Sequence, residues 1–110
     1  MAPEVVVREL FARVRAGDIA VAELYAEDGV LDTGDAVCTG RDAIRDYYAR
    51  VLQSGIQPNI EALYRKPPYY AAQLRVTTSG GDVRVLDVFQ IEDGAVKALR
   101  VFHPDTDATE

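Results

Sequence analysis

Apolar side chains at Val6, Val7, Leu10, Phe11 and Val14 recur every three to four positions, the period of one helix face. With Pro3 suited to a first turn and Gly17 to the position past the end, the spacing predicts a helix over 3–16. Asp18 stands where an N-cap would precede Ile19, Val21, Ala22, Leu24 and Tyr25, so a short second helix is expected, closed by a Glu27-Asp28-Gly29 turn. Val30 and Leu31 read as a short strand, and Asp32-Thr33-Gly34-Asp35 as a loop, because Asp and Gly favour turn conformations. Thr39 and Asp42 have capping-box spacing with Asp in place of Glu. Ile44, Tyr47, Tyr48, Val51 and Leu52 then define a third helix that stops near Ser54-Gly55.

Beyond Pro58 the period changes to two. Ile60, Ala62 and Tyr64 alternate with Asn59, Glu61 and Leu63 up to a Pro67-Pro68 break, and Tyr70, Ala72, Leu74 and Val76 share one face of the next strand. Turn residues at Ser79-Gly80-Gly81-Asp82 and Glu92-Asp93-Gly94 mark hairpins into strands at 83–91 and 95–102. Helices followed by an antiparallel meander predict an α+β domain in which a curved sheet wraps around the helices. The pattern assigns 1–104 to one domain and leaves 105–110 as a flexible polar tail.

Length and charge narrow the function classes. At 110 residues there is room for a single core, and 12 Lys+Arg against 18 Asp+Glu, net −6, would repel a phosphate backbone. No apolar run reaches the ~20 residues that span a bilayer, and the charged start is unlike a signal peptide, so a soluble, cytoplasmic protein with neither nucleic acid nor membrane as partner is expected. One Cys, Cys38, and one His, His103, supply neither a disulfide nor a zinc finger. With no carboxylate-His cluster and no Gly-rich phosphate loop, neither metal nor cofactor is expected.

Strand parity singles out one residue. Val85, Asp87, Phe89 and Ile91 must share a face, which sets Asp87 among apolar neighbours. A carboxylate there is costly to ionise: it finds an Arg partner, caps a sheet bulge, or serves a site with a raised pKa. On the last strand Leu99, Val101 and His103 share a face, so His103 is either a surface residue or the rim of the same cavity. Asp32 and Asp35 read first as solvated loop residues and second as base candidates. Tyr25, Tyr47 and Tyr48 sit at core spacings, each with a hydroxyl that needs a partner. Leu86 and Val88, with Ala98 and Phe102, leave the opposite sheet face apolar as well, which a second chain could cover.

The order of helix, Ala16-Gly17-Asp18 turn, LYAEDGVL, loop, TGRDAIRDYYARVL and closing DVFQIEDGAVKALRVFHPD resembles the nuclear-transport-factor-2-like superfamily, within it the ketosteroid-isomerase and SnoaL-like branch. The likeness runs from about Val5 to His103. It implies a cone-shaped fold, three helices closing a strongly bent antiparallel sheet over a deep pocket, and a homodimer through the outer sheet face. In ketosteroid isomerases an Asp base moves a proton between carbons near a carbonyl, while a Tyr and a protonated Asp donate hydrogen bonds to the enolate oxygen.

By that resemblance Asp87, in Asp87-Val88-Phe89, matches the protonated Asp, Tyr48 a supporting Tyr on the third helix, and Tyr25 a further pocket Tyr of some members. Leu10 stands at the oxyanion Tyr, and Thr33, directly after Asp32, at the base. One absent oxyanion donor removes ~2.7 to 4 kcal/mol of transition-state stabilisation. Asp32 alternates to the other face, so a register shift or Asp35 would be needed to restore a base. Val101 replaces the late-strand Asp of limonene-epoxide hydrolases, whereas Asp87 and His103 are candidates for the Asp and His pair of the SnoaL-like cyclases. The expectation is a cofactor-independent isomerase or cyclase working by proton transfer on a small apolar carbonyl, steroid- or polyketide-like, or else a binding module of the same fold. Its catalytic set is Asp87, Tyr48, Asp32, Asp35 and His103; its pocket wall is Leu10, Tyr25, Thr33, Tyr64, Tyr70, Leu74, Phe89, Leu99 and Val101.

Overall fold

A computed structural model describes residues 2–103; the expected tail at 105–110 lies outside the described residues. Helix α1 spans Pro3–Arg15, with Pro3 in its first turn, Glu4 near its N-terminus and Arg13 and Arg15 near its C-terminus, charges placed to complement the helix dipole. It buries the five apolar residues whose spacing predicts it. The second helical segment, Ile19–Leu24, is a 3₁₀ helix whose N-cap Asp18 accepts the Ala20 amide at 2.9 Å. Helix α2, Arg41–Val51, buries Ile44 and Tyr48, and a short 3₁₀ turn carries the chain to Gly55, which ends it in the left-handed conformation.

Six strands follow the order β2-β1-β6-β5-β4-β3: β1 Tyr25–Asp32, β2 Val37–Thr39, β3 Gln57–Lys66, β4 Tyr69–Thr78, β5 Gly81–Glu92 and β6 Ala95–Phe102. The last four form the expected antiparallel meander. Its final hairpin turns on Asp93 and Gly94, both at positive φ, the backbone demanded by a two-residue turn whose twist suits the strands. Strand β1 joins the meander in parallel to β6, with β2 antiparallel on its other side. Helices α1 and α2 and the 3₁₀ segment close one face of this sheet, where the core lies; the mixed α+β architecture agrees with the expectation. No helix among the described residues is long and apolar enough to cross a membrane.

Three local expectations need correction. Glu27-Asp28-Gly29 does not close a helix: Tyr25 opens β1, and the triplet lies in an irregular stretch where the β1–β6 register jumps. Gly29 is needed there, because a Cβ would come within 3.0 Å of the carbonyl oxygens of Ala26 and Val96. Thr39 and Asp42 form no capping box, since Thr39 pairs with Val30 in the sheet and Gly40 is the N-cap, with no side-chain cap bond. In β3 the alternation slips: Ile60 pairs with Leu74 but Leu63 with Ala72, so three steps on β3 answer two on β4. This bulge turns Leu63 inward and Tyr64 outward.

Candidate functional site

Between the helices and the concave sheet face lies a cavity of about 190 Å³. Helix α1 supplies Leu10, Phe11 and Val14, and α2 supplies Tyr47, Tyr48 and Val51. The sheet contributes Leu31 and Thr33 at the end of β1, Pro58 from β3, Leu74 and Val76 from β4, Val83, Val85 and Asp87 from β5, and Leu99, Val101 and His103 along β6 and just past it. Burial grades along two strands: on β5 Val83 is half exposed while Phe89 is fully buried, and on β6 Leu99 is buried while His103 beyond it is exposed. The cavity therefore opens beside Val83 and His103 and closes near Asp87, above the edge-on pair of Phe11 and Phe89, whose rings lie 5.8 Å apart.

Asp87 is the one carboxylate lining this space among the described residues. It is 5% exposed, flanked along its strand by Val85 and Phe89 and across the sheet by Ala72 and Val101. Its Oδ1 is fully buried and has no hydrogen-bond partner among the described residues. No Arg among the described residues makes an ion pair with it. Burial raises its pKa from 3.8 to about 7, because the charged form loses water and gains no donor in return. At neutral pH the group is divided between acid and carboxylate.

Tyr48 lines the cavity from α2, and its hydroxyl lies 2.7 Å from that of Tyr25, which is wholly buried behind it. Burial raises both phenols, so both stay protonated near neutral pH. Tyr47 packs edge-on against Tyr48 with ring centroids 5.5 Å apart. When Tyr25 donates to Tyr48, the Tyr48 proton is free to point at a bound molecule.

Of the expected pocket wall, Leu10, Thr33, Leu74, Leu99 and Val101 line the cavity. Tyr25 stands one hydrogen bond behind it, and Tyr70 and Phe89 are buried in the core without lining it. Tyr64 is a correction: the β3 bulge turns it outward, and it is 56% exposed. Asp32 and Asp35 are corrections too. Parity turns Leu31 and Thr33 inward and Asp32 away, where its Oδ1 accepts the Gly34 amide at 2.9 Å, and Asp35 is exposed on the loop. Thr33 Oγ1 is engaged with the backbone of Ala36. Phe11, Tyr47, Val51, Val76, Val83 and Val85 were not expected in the wall; Val83 and Val85 share the parity of Asp87, which was the available signal. Among the described residues no three His, Cys, Asp or Glu side chains gather as metal ligands.

Residues 7–99 match the family described as the SnoaL-like domain. No curated protein matches the chain. Solved structures share the fold. The epoxide hydrolase/cyclase-like enzyme SalBIII, reported for a role in pyran ring formation in polyether salinomycin, is 24% identical with a TM-score of 0.84, covering 94% of this chain and 92% of its own. A candidate polyketide cyclase from Sinorhizobium meliloti is 20% identical with a TM-score of 0.83 over 91% and 94% of the two chains. A hypothetical protein with a ketosteroid isomerase-like fold from Catenulispora acidiphila, in complex with trimethylamine, is 18% identical with a TM-score of 0.80 over 94% and 87%.

Proposed function

The chain belongs to the SnoaL-like domain family, and from that premise we propose that it is a cofactor-independent isomerase or cyclase that moves a proton on a small apolar carbonyl compound held in the cavity. The observation that carries this reading is Asp87: a buried carboxyl facing an apolar cavity, with an acceptor oxygen left unpaired. The names of similar proteins, an epoxide hydrolase/cyclase-like enzyme and a candidate polyketide cyclase, support the same class.

In its neutral form Asp87 donates to the carbonyl oxygen of the ligand, and Tyr48, accepting from Tyr25, is the second donor within the wall. As a proton leaves the adjacent carbon, its electron pair moves into the carbonyl and the oxygen becomes an enolate or, with the Asp87 proton, an enol. The base is His103 at the rim. Asp87 pairs directly with Val101 across the sheet, and His103 lies two residues further along. A cross-strand step of ~5 Å and a rise of ~6.7 Å put the two Cα atoms roughly 8 Å apart, room for a ring between the side chains. Return of a proton from His103 to a different carbon, and of the oxygen's proton to Asp87, completes an isomerisation that leaves both residues in their starting protonation states. Leu10 contributes no donor, so the transition state lacks the ~2.7 to 4 kcal/mol that a donor at that position would supply.

One observation favours a second reading, a binding module without turnover: Thr33 is tied to Ala36 and both loop aspartates lie off the cavity, so no carboxylate besides Asp87 reaches it among the described residues. Turnover of enolisable cyclic ketones, followed by solvent deuterium exchange at the carbon next to the carbonyl, separates the two. Exchange that drops at least ~100-fold in Asp87→Asn supports the enzyme. Saturable binding with no exchange supports the module. The outer sheet face, where Leu86, Val88, Ala98 and Phe102 lie together, is the proposed seat of a second copy. Light scattering should then return twice the 12.1 kDa chain mass.

A further inference from the structure

The cavity's size and the polarity of its two ends limit what can be seated on Asp87. An apolar cavity of ~150 Å³ in another protein holds one benzene molecule. At about 190 Å³ this one has space for a six-membered ring and a few further atoms. The inner walls do not yield readily: Leu10 and Phe11 of α1, Leu74 of β4 and Leu99 of β6 are each at most 3% exposed and packed into the core. Outward, the lining passes to the half-buried Val51 and Ile56 and the exposed Val83, which bound the remaining space. The polar demand lies at the closed end, where Asp87 Oδ1 is unpaired.

Resting on the proton-transfer reading, we infer that the substrate class is a single-ring carbonyl compound: its oxygen reaches Asp87, one ring fills the enclosed space, and any larger body stays outside the mouth past Val83. Four fused rings do not fit the enclosed space. The steroid-like ligand expected from the resemblance is thereby narrowed to the monocyclic range. Specificity follows from the same walls. Substituents on the ring carbons nearest the oxygen meet Leu74 and Leu99, while those on the far side project toward solvent and are tolerated.

The test uses three phenols of similar acidity as oxyanion probes: phenol, 2-naphthol and equilenin, with one, two and four rings. Binding to the full chain and to Asp87→Asn is followed by calorimetry and by the phenolate absorbance. Were each added ring buried, affinity would rise on the order of a hundredfold per ring. The expected result is Asp87-dependent binding of phenol, at most a threefold gain for 2-naphthol and none for equilenin. A tenfold or greater gain with each ring overturns the size limit and leaves the proton-transfer reading standing. Absence of Asp87-dependent binding for all three overturns that reading and the inference with it. In Val51→Ala/Ile56→Ala, which trims half-buried walls, 2-naphthol should gain at least tenfold over phenol; an unchanged ratio overturns the assignment of the limit to these walls.

Discussion

Two carboxylates of the same sheet meet opposite fates. On the outer face Glu61, at the β3 bulge, accepts from Arg75 at 2.9 Å and lies 3.3 Å from the Nε of Arg84, and those arginines face each other across β4 and β5. Hydrogen bonding from Arg75 above all, helped by the charge of Arg84, lowers its pKa. On the inner face Asp87 has neither donor nor cation among the described residues, and burial raises its pKa to about 7. Exposed ion pairs are cheap to satisfy and contribute little, whereas a buried orphan acceptor is an expense that a fold retains where a ligand completes it. Frustration on the inner face, beside satisfaction on the outer one, is what marks the site.

The contrast is sharpest in pH dependence, where the two groups act with opposite signs. Asp87 is protonated in both folded and unfolded chains below pH 3.8; as pH rises toward about 7 the unfolded chain releases its proton first, so stability is lost over that window. At ~1.4 kcal/mol per pH unit the difference is about 4 kcal/mol above pH 7. Asp87→Asn should therefore unfold at higher denaturant than the parent chain at pH 8 and no higher at pH 3.5. Equal midpoints at both pH values would mean that Asp87 is solvated or paired.

A smaller effect is expected at the tyrosine pair, and it is asymmetric. Tyr48→Phe strands the hydroxyl of Tyr25 where no solvent reaches and should cost about 1–3 kcal/mol in chemical denaturation. Tyr25→Phe leaves the Tyr48 hydroxyl facing the cavity and should cost only about 1 kcal/mol. The double variant should fall short of the sum, and strict additivity would show that the two hydroxyls are not coupled. The smallest effect belongs to Glu61→Gln, which should leave Tm within about 2 °C at pH 7 and turnover unchanged. What stability Glu61 contributes is present above its ordinary value of 4.5 and fades as pH falls below it, the reverse of Asp87.

Whatever depends on periodicity was legible in the chain itself. The buried face of α1, the shared face of Val85, Asp87 and Phe89, and the turn residues Asp93-Gly94 follow from spacing and backbone preference alone. What escaped depends on one-residue irregularities. The β3 bulge reversed the side on which Tyr64 lies, and the β1 irregularity absorbed a triplet that reads as a turn. A bulge is set by the fit between neighbouring strands, which leaves no periodic mark. The parallel β1–β6 pairing joins segments some seventy positions apart, beyond the reach of local pattern. Asp87 was legible as an oddity, but the absence of a partner for it could be established only in three dimensions.

That pairing also orders assembly in time. Because β6 sits between β1 and β5, the early β1–β2 pair and the later meander become one sheet only when residues 95–102 dock between them. During synthesis from the N-terminus, β1 waits with one edge open while β3, β4 and β5 are made, and loop closure over that distance slows the final step. Leu99, Val101 and His103 arrive with that last strand, so the chain acquires a cavity wall and a finished sheet in the same event.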